Sequence, residues 1–194
     1  MANHHARQYR ATNRGFAVGP SADDTRDHRP ADRPMRRAAT EILDPGQREA
    51  VLRRASVLHL AVNDDGAPYV VPLSFGWADG SLWFHCAPEG TKLDLIRRDP
   101  RVGFTAECDV ATVPATGGCD WGVRAVSVVG RGRARIVTDE AERLRGAEAI
   151  MRHAGVPDPV TVDPGAMART CIVRIEVEEL RARRIGGQGG GPPP

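Results

Sequence analysis

The chain has 194 residues, of which 27 are Lys or Arg and 25 are Asp or Glu, for a formal net charge of +2 at pH 7. So even a balance offers no electrostatic basis for binding nucleic acid or an anionic membrane, and no apolar run is long enough to span a bilayer. The four cysteines, Cys86, Cys108, Cys119 and Cys171, form no CxxC pair; they read as free thiols of a reducing compartment rather than as disulfides or a zinc site.

Residues 1–34 hold almost nothing to bury and are expected to be disordered. Asp23, Asp24, Asp27 and Asp32 argue against a mitochondrial presequence, and no apolar stretch suits secretion, so the default location is cytoplasmic. The folded domain is expected over residues 35–185, long enough to bury a core without disulfides or metal. Asp44-Pro45-Gly46-Gln47 sets an N-cap residue before a proline at the first helical position. That predicts a helix over 45–55 with Val51, Leu52 and Ala55 on its apolar edge.

Residues 57–62 are apolar and β-branched enough for a buried strand, and Asp65-Gly66 supplies the positive φ of a hairpin turn. The second strand, 69–77, has Tyr69, Val71, Leu73, Phe75 and Trp77 on one face and the smaller Val70, Pro72, Ser74 and Gly76 on the other. Asp79-Gly80 turns the chain into a third strand, 82–86. Ala87-Pro88-Glu89-Gly90-Thr91-Lys92 then leads into a short helix over 93–98, stopped by Asp99-Pro100. Helix N-terminal amides and Lys92 converge there, which suits either a phosphate or a solvated turn. The aromatic set Phe75, Trp77 and Trp83 either fills the core of one chain or is covered by a second copy.

A fourth strand is predicted over 101–110, followed by the loop Val113-Pro114-Ala115-Thr116-Gly117-Gly118. Residues 121–137 form a long fifth strand in which Gly130 and Gly132 mark a bulge or a close backbone approach, useful at a barrel corner. Asp139 caps a helix ended by Gly155. Residues 156–165 read as loop, and Cys171, Val173, Ile175 and Val177 as the inward face of the last strand. The Gly/Pro tail, 186–194, reads as unstructured. The expectation is a mainly β fold with peripheral helices, built on a six-stranded antiparallel barrel of the Greek-key kind.

The succession of hairpin, VPLSFGW, DG, LWFHCA and EGTKLDLIRRDPRV resembles the flavin-binding split-barrel proteins related to pyridoxamine 5′-phosphate oxidase, most of all the branch of the nitroimidazole-resistance proteins. The resemblance spans residues 35–180 and implies a split barrel that dimerises, with two FMN sites along the subunit interface. It places Val71, Pro72 and Ser74 on the strand beside the flavin ring, His85 and Cys86 at the strand end before the phosphate loop, and Lys92 on the phosphate. Trp121 and Ser127 match the family's C-x-W…S-V pattern, here Cys119-Asp120-Trp121 and Ser127-Val128. Where close relatives often carry Tyr, this chain has Ala125, so their substrate does not carry over.

The sequence shows no Ser-His-Asp order, no paired acids and no metal-ligand spacing, so any chemistry would rest mainly with the cofactor. The expected activity is FMN-dependent two-electron oxidoreduction of a small molecule, with a nicotinamide nucleotide as a possible electron donor. His85 is the candidate catalytic residue, the alternative being a hydrogen-bonded structural histidine. Three other readings stand beside this one. A deazaflavin could replace FMN, haem could be held by His59 or His85, or the protein could bind a flavin or small carboxylate without turning it over.

Overall fold

The structure, a computed structural model, describes Met35, residues 38–117 and residues 121–186. The expectations of disorder at 1–34 and over the tail beyond Gly186, and the Cys119-Asp120 part of the C-x-W pattern, fall outside the described residues. Helix α1 spans Pro45–Arg54, and the Asp44 carboxylate accepts from the Gln47 amide at 2.7 Å, as the Asp-Pro signal predicts. Its C-terminal turn buries Val51 and Leu52.

Among the described residues, eight strands form one antiparallel sheet: β1 (Glu41–Ile42), β2 (Leu58–Asp64), β3 (Ala67–Leu73), β4 (Phe75–Ala78), β5 (Ser81–Cys86), β6 (Arg101–Val113), β7 (Gly122–Ile136) and β8 (Cys171–Ile185). Their order is β3-β2-β6-β7-β8-β5-β4, with β1 on β8. The count corrects the expected six. The continuous alternation over 69–77 hides a change of partner, since Leu73 pairs with Leu58 of β2 whereas Phe75 pairs with Phe84 of β5. Ser74 alone separates the two strands, so the ends of the sheet path are joined through one residue and the sheet curls into a barrel. The other addition, β1, is only two residues long and pairs with Arg183 and Ala182 near the end of β8.

The glycines of β7 act as expected. A Cβ on Gly130 would stand 2.3 Å from Phe104 Cζ, and one on Gly132 would stand 2.1 Å from the Glu176 carbonyl oxygen. The β7–β8 register shifts between Arg131 and Gly132, with Glu178 of β8 left over. Alternation sorts the side chains into two cores. Leu58, Leu60, Phe75, Phe84, Val128, Val173 and Ile175 belong to the barrel interior, and Trp83, Val137, Ala147, Ile150 and Ile172 pack together outside it. The outer cluster is closed by α3 (Glu140–His153), whose N-cap Asp139 accepts from the Glu142 amide.

Two helices complete the fold. Helix α2 spans Thr91–Arg98 and buries Leu93, Leu95 and Ile96. Helix α4, Pro164–Ala168, corrects the loop expected there: Asp163 accepts from the Ala166 amide at 2.6 Å ahead of Pro164, the same Asp-Pro signal as at Asp44-Pro45.

Candidate functional site

The N-terminus of α2 differs from those of α1, α3 and α4. Each of those carries an Asp carboxylate as its cap, whereas α2 starts from Gly90, at φ 126°, with no side-chain cap. The backbone bonds of its first turn begin at Leu93 and Asp94, which both donate to the Gly90 carbonyl. The Thr91 and Lys92 amides therefore have no backbone acceptor among the described residues. Lys92 Nζ lies 5.3 Å from the centre of the Phe84 ring and makes no ion pair among the described residues. Two unbonded N–H groups and an ammonium are a donor set suited to a phosphate.

Two of the sequence-predicted residues join this end of the barrel from neighbouring strands. Ser74 and His85 are each one residue beyond the Phe75–Phe84 pair, at the same rim, and both are exposed. His85 shares the outer face with Trp83, while Phe84 and Cys86 pack toward the interior. Val71 and Pro72 precede Ser74 on β3, which among the described residues pairs only with β2. Pro72 thus occupies an edge strand, where its missing N–H costs no ladder bond. Cys86 faces Cys171 across the β5–β8 pair. Burial, with Cys171 beside it, pushes the Cys86 thiol up to about 11.

Trp121 and Ser127 lie on or just ahead of β7, strands away from Ser74 within one chain. Ser127 is buried and pairs with Glu107, and Glu107, Val57 and Ser74 each lie one step past the Ala106–Leu58–Leu73 row. Ser127 is therefore three strands from Ser74, roughly 14 Å at the usual strand spacing. Trp121, 55% exposed, lies farther along, ahead of β7. The ground between is a cleft of 360 Å³ lined by Arg54, Ser56, Val57, Glu107, Cys108, Asp109 and Val110. Arg54 pairs there with Asp109, which holds a positive φ of 56° at an irregularity of β6, and His59 Nδ1 lies 3.9 Å from Glu107 Oε1. This cleft leaves little mark on the sequence. Its only trace is Glu107-Cys108-Asp109, two acids in a strand that otherwise alternates.

The aromatics settle differently from one of the two expectations held for them. Phe75 and Trp83 are 1% and 4% exposed within the single chain, and Trp77 Nε1 donates to Glu49 Oε2 at 3.3 Å. They fill the fold instead of awaiting a second copy. Among the described residues, six of the ten large apolar side chains that are exposed, Val70, Val110, Val113, Trp121, Val123 and Val129, lie on β3, on the β6–β7 pair or just before β7, and the other four, Leu43, Val57, Leu144 and Val156, are scattered elsewhere.

Residues 44–184 match the pyridoxamine 5′-phosphate oxidase family. The chain belongs to that family. Among solved structures it is similar to a protein of Bacteroides thetaiotaomicron assigned to 5-nitroimidazole antibiotic resistance, with 25% identity, 75% of this chain and 86% of the other covered, and a TM-score of 0.66. It is also similar to an FAD-binding protein of Mesorhizobium loti, with 26% identity, 73% and 95% covered, and a TM-score of 0.54. Flavocytochrome Anf3 of Azotobacter vinelandii shares the fold at 18% identity, with 81% and 76% covered and a TM-score of 0.66. No curated protein sequence matches the chain. These likenesses support the split-barrel reading and a flavin-binding family. No helix among the described residues is long and apolar enough to cross a membrane.

Proposed function

We propose that the protein is an FMN-dependent oxidoreductase acting on a small molecule as a homodimer in the cytoplasm. The observation that carries this reading is the uncapped start of α2 with Lys92 upon it, set at the same rim as Ser74 and His85 in a chain of the pyridoxamine 5′-phosphate oxidase family. Gly90, Thr91 and Lys92 would hold the phosphate. Val71, Pro72 and Ser74 would offer the backbone of an edge strand to the ring, Cys86 would close the rim behind it, and His85 would place or move a proton at its exposed imidazole. When bound, FMN supplies two-electron redox chemistry, with a nicotinamide nucleotide as the electron donor. Ser127, three strands from Ser74 in one chain, and Trp121 ahead of the same strand would serve the site of the other copy. The exposed valines of β3, β6 and β7 and Trp121 would lie in the shared interface.

The haem reading is less well supported, because His85 is exposed and His59 faces Glu107 rather than an apolar cavity. The absorbance spectrum of the purified protein tests the cofactor directly, since flavin, deazaflavin and haem have distinct bands. Titration with FMN, FAD and riboflavin then tests the phosphate. A haem or deazaflavin spectrum, or equal affinity for FMN and riboflavin, overturns the reading.

A further inference from the structure

Cys86 is the last residue of β5 and Cys171 the first of β8, and the antiparallel register sets them directly opposite each other. Opposed residues in such a pair have Cα atoms about 4.5–5.5 Å apart, inside the window of about 4.4–6.8 Å that a disulfide spans. Both thiols are free, and both residues are half-buried, which leaves a path for a small oxidant. The position at the ends of both strands matters, because the ladder continues on one side only, from His85 and Ile172, so the pair can close by the fraction of an ångström that a covalent bond requires with little disturbance to the sheet. Cys108 has no such counterpart, since Val126 stands opposite it. The proposed flavin site does not use the Cys171 thiol.

We propose that Cys86 and Cys171 form a dithiol site that hydrogen peroxide converts to a cross-strand disulfide. Cys171 reacts first: its sulfur takes one peroxide oxygen, the O–O bond breaks, and the second oxygen leaves as hydroxide, which becomes water on taking up the thiol proton. The Cys86 sulfur then attacks the Cys171 sulfenic acid, so that the S–S bond forms, the S–O bond breaks and a second water departs. In sum, two thiols and one hydrogen peroxide give one disulfide and two waters, with both sulfurs oxidised and both peroxide oxygens reduced. Burial, which pushes the Cys86 thiol up, disfavours its own attack on peroxide and assigns it the resolving step. The oxidised form ties β8 to the strand whose next residues lead into Gly90 and α2.

The test uses the full chain, reduced, desalted and exposed to hydrogen peroxide, then alkylated and digested without reductant. The expected result is loss of two of the four alkylatable thiols, recovery of a linked peptide pair containing Cys86 and Cys171, and full reversal by dithiothreitol. Cys108→Ser should behave as wild type. In Cys171→Ser, the linked pair should vanish and Cys86 alkylation should persist. The mapping on wild type needs no variant to fold. Four thiols still alkylatable, a link to Cys108 or Cys119, or a link between two chains would each overturn the proposal.

Discussion

Gly146 of α3 packs directly on Trp83 of β5: a Cβ built on the glycine would stand 2.6 Å from Trp83 Cε3 and 2.7 Å from Ile172 Cγ2. The indole has little room to retreat, because the residue is 4% exposed and packed among Val137, Ala147, Ile150 and Ile172. Gly146→Ala should therefore push α3 off the sheet and cost about 1–3 kcal/mol, as overpacking of a filled core does. Urea denaturation should show a lower midpoint with an unchanged slope. A variant as stable as wild type would mean that α3 is not seated as described.

Part of this arrangement was legible in the chain. The strand faces were, because alternation is a local property: Trp83 and Phe84 fall into the two different cores that period two assigns them. The break at Ser74 was not, since a change of partner leaves alternation intact on both sides. Helix α4 was missed because three prolines nearby outweighed the Asp163-Pro164 cap. At the site, Lys92 and its turn could be read from Gly90 and the apolar pattern that follows. The cleft beside Arg54, Glu107 and Asp109 could not, because it depends on which strands lie side by side.

The phosphate assignment predicts the behaviour of Lys92→Ala. One charge-assisted hydrogen bond is worth about 1.5–3 kcal/mol, or one to two decades of affinity. Lys92→Ala should weaken FMN about ten- to a hundredfold in a fluorescence titration and leave riboflavin nearly unchanged. An equal loss for both ligands would move Lys92 from the phosphate to the ring or to the fold.

The proposed dimer rests on exposed apolar surface rather than on the aromatics. Val129, 51% exposed, lies on the outer face of the sheet in the row of Pro72, His59 and Thr105. Light scattering at micromolar concentration should return the mass of two chains, and Val129→Lys should shift it toward one while preserving the circular dichroism spectrum. A wild-type mass of one chain would remove the shared site from the proposal.

Glu142 ties α3 to the sheet. Its carboxylate accepts from Arg135 Nη1 at 2.9 Å and from Arg174 Nη1 at 3.0 Å, and its side chain is 12% exposed. The hydrogen bond from Arg135 leads in holding this carboxyl below the usual range, burial opposes it, and Arg174 reinforces it. A depressed folded-state value means that the stabilisation is present above the unfolded carboxylate value and lost as pH falls through the folded one. Glu142→Gln should cost about 1–2 kcal/mol at pH 7. The gap in denaturation midpoint between wild type and variant should narrow as pH is lowered below the ordinary carboxylate range. A gap that stays constant with pH would place the loss in packing, not charge.

His85 is the residue on which the catalytic part of the proposal rests. It is exposed at the end of β5, two residues after the buried Trp83 on the same face and one before the half-buried Cys86, so its ring contributes little to either core. Exposed substitutions of this kind usually change stability by no more than about 0.5 kcal/mol. His85→Ala should accordingly fold as wild type and hold FMN within a few-fold. Removing a positioned proton donor costs about a hundredfold or more in rate, a loss that should be visible as slower turnover when a nicotinamide nucleotide is offered as donor and a small molecule as acceptor. His85→Gln, which keeps a hydrogen-bond donor but cannot shuttle a proton, separates two roles: recovered turnover would make the residue a positioning group, and continued loss would make it the acid or base. Were flavin itself lost from His85→Ala, the histidine would belong to the cofactor's own shell. Were the wild type to carry haem and the variant to lose it, His85 would be an axial ligand and FMN the wrong cofactor.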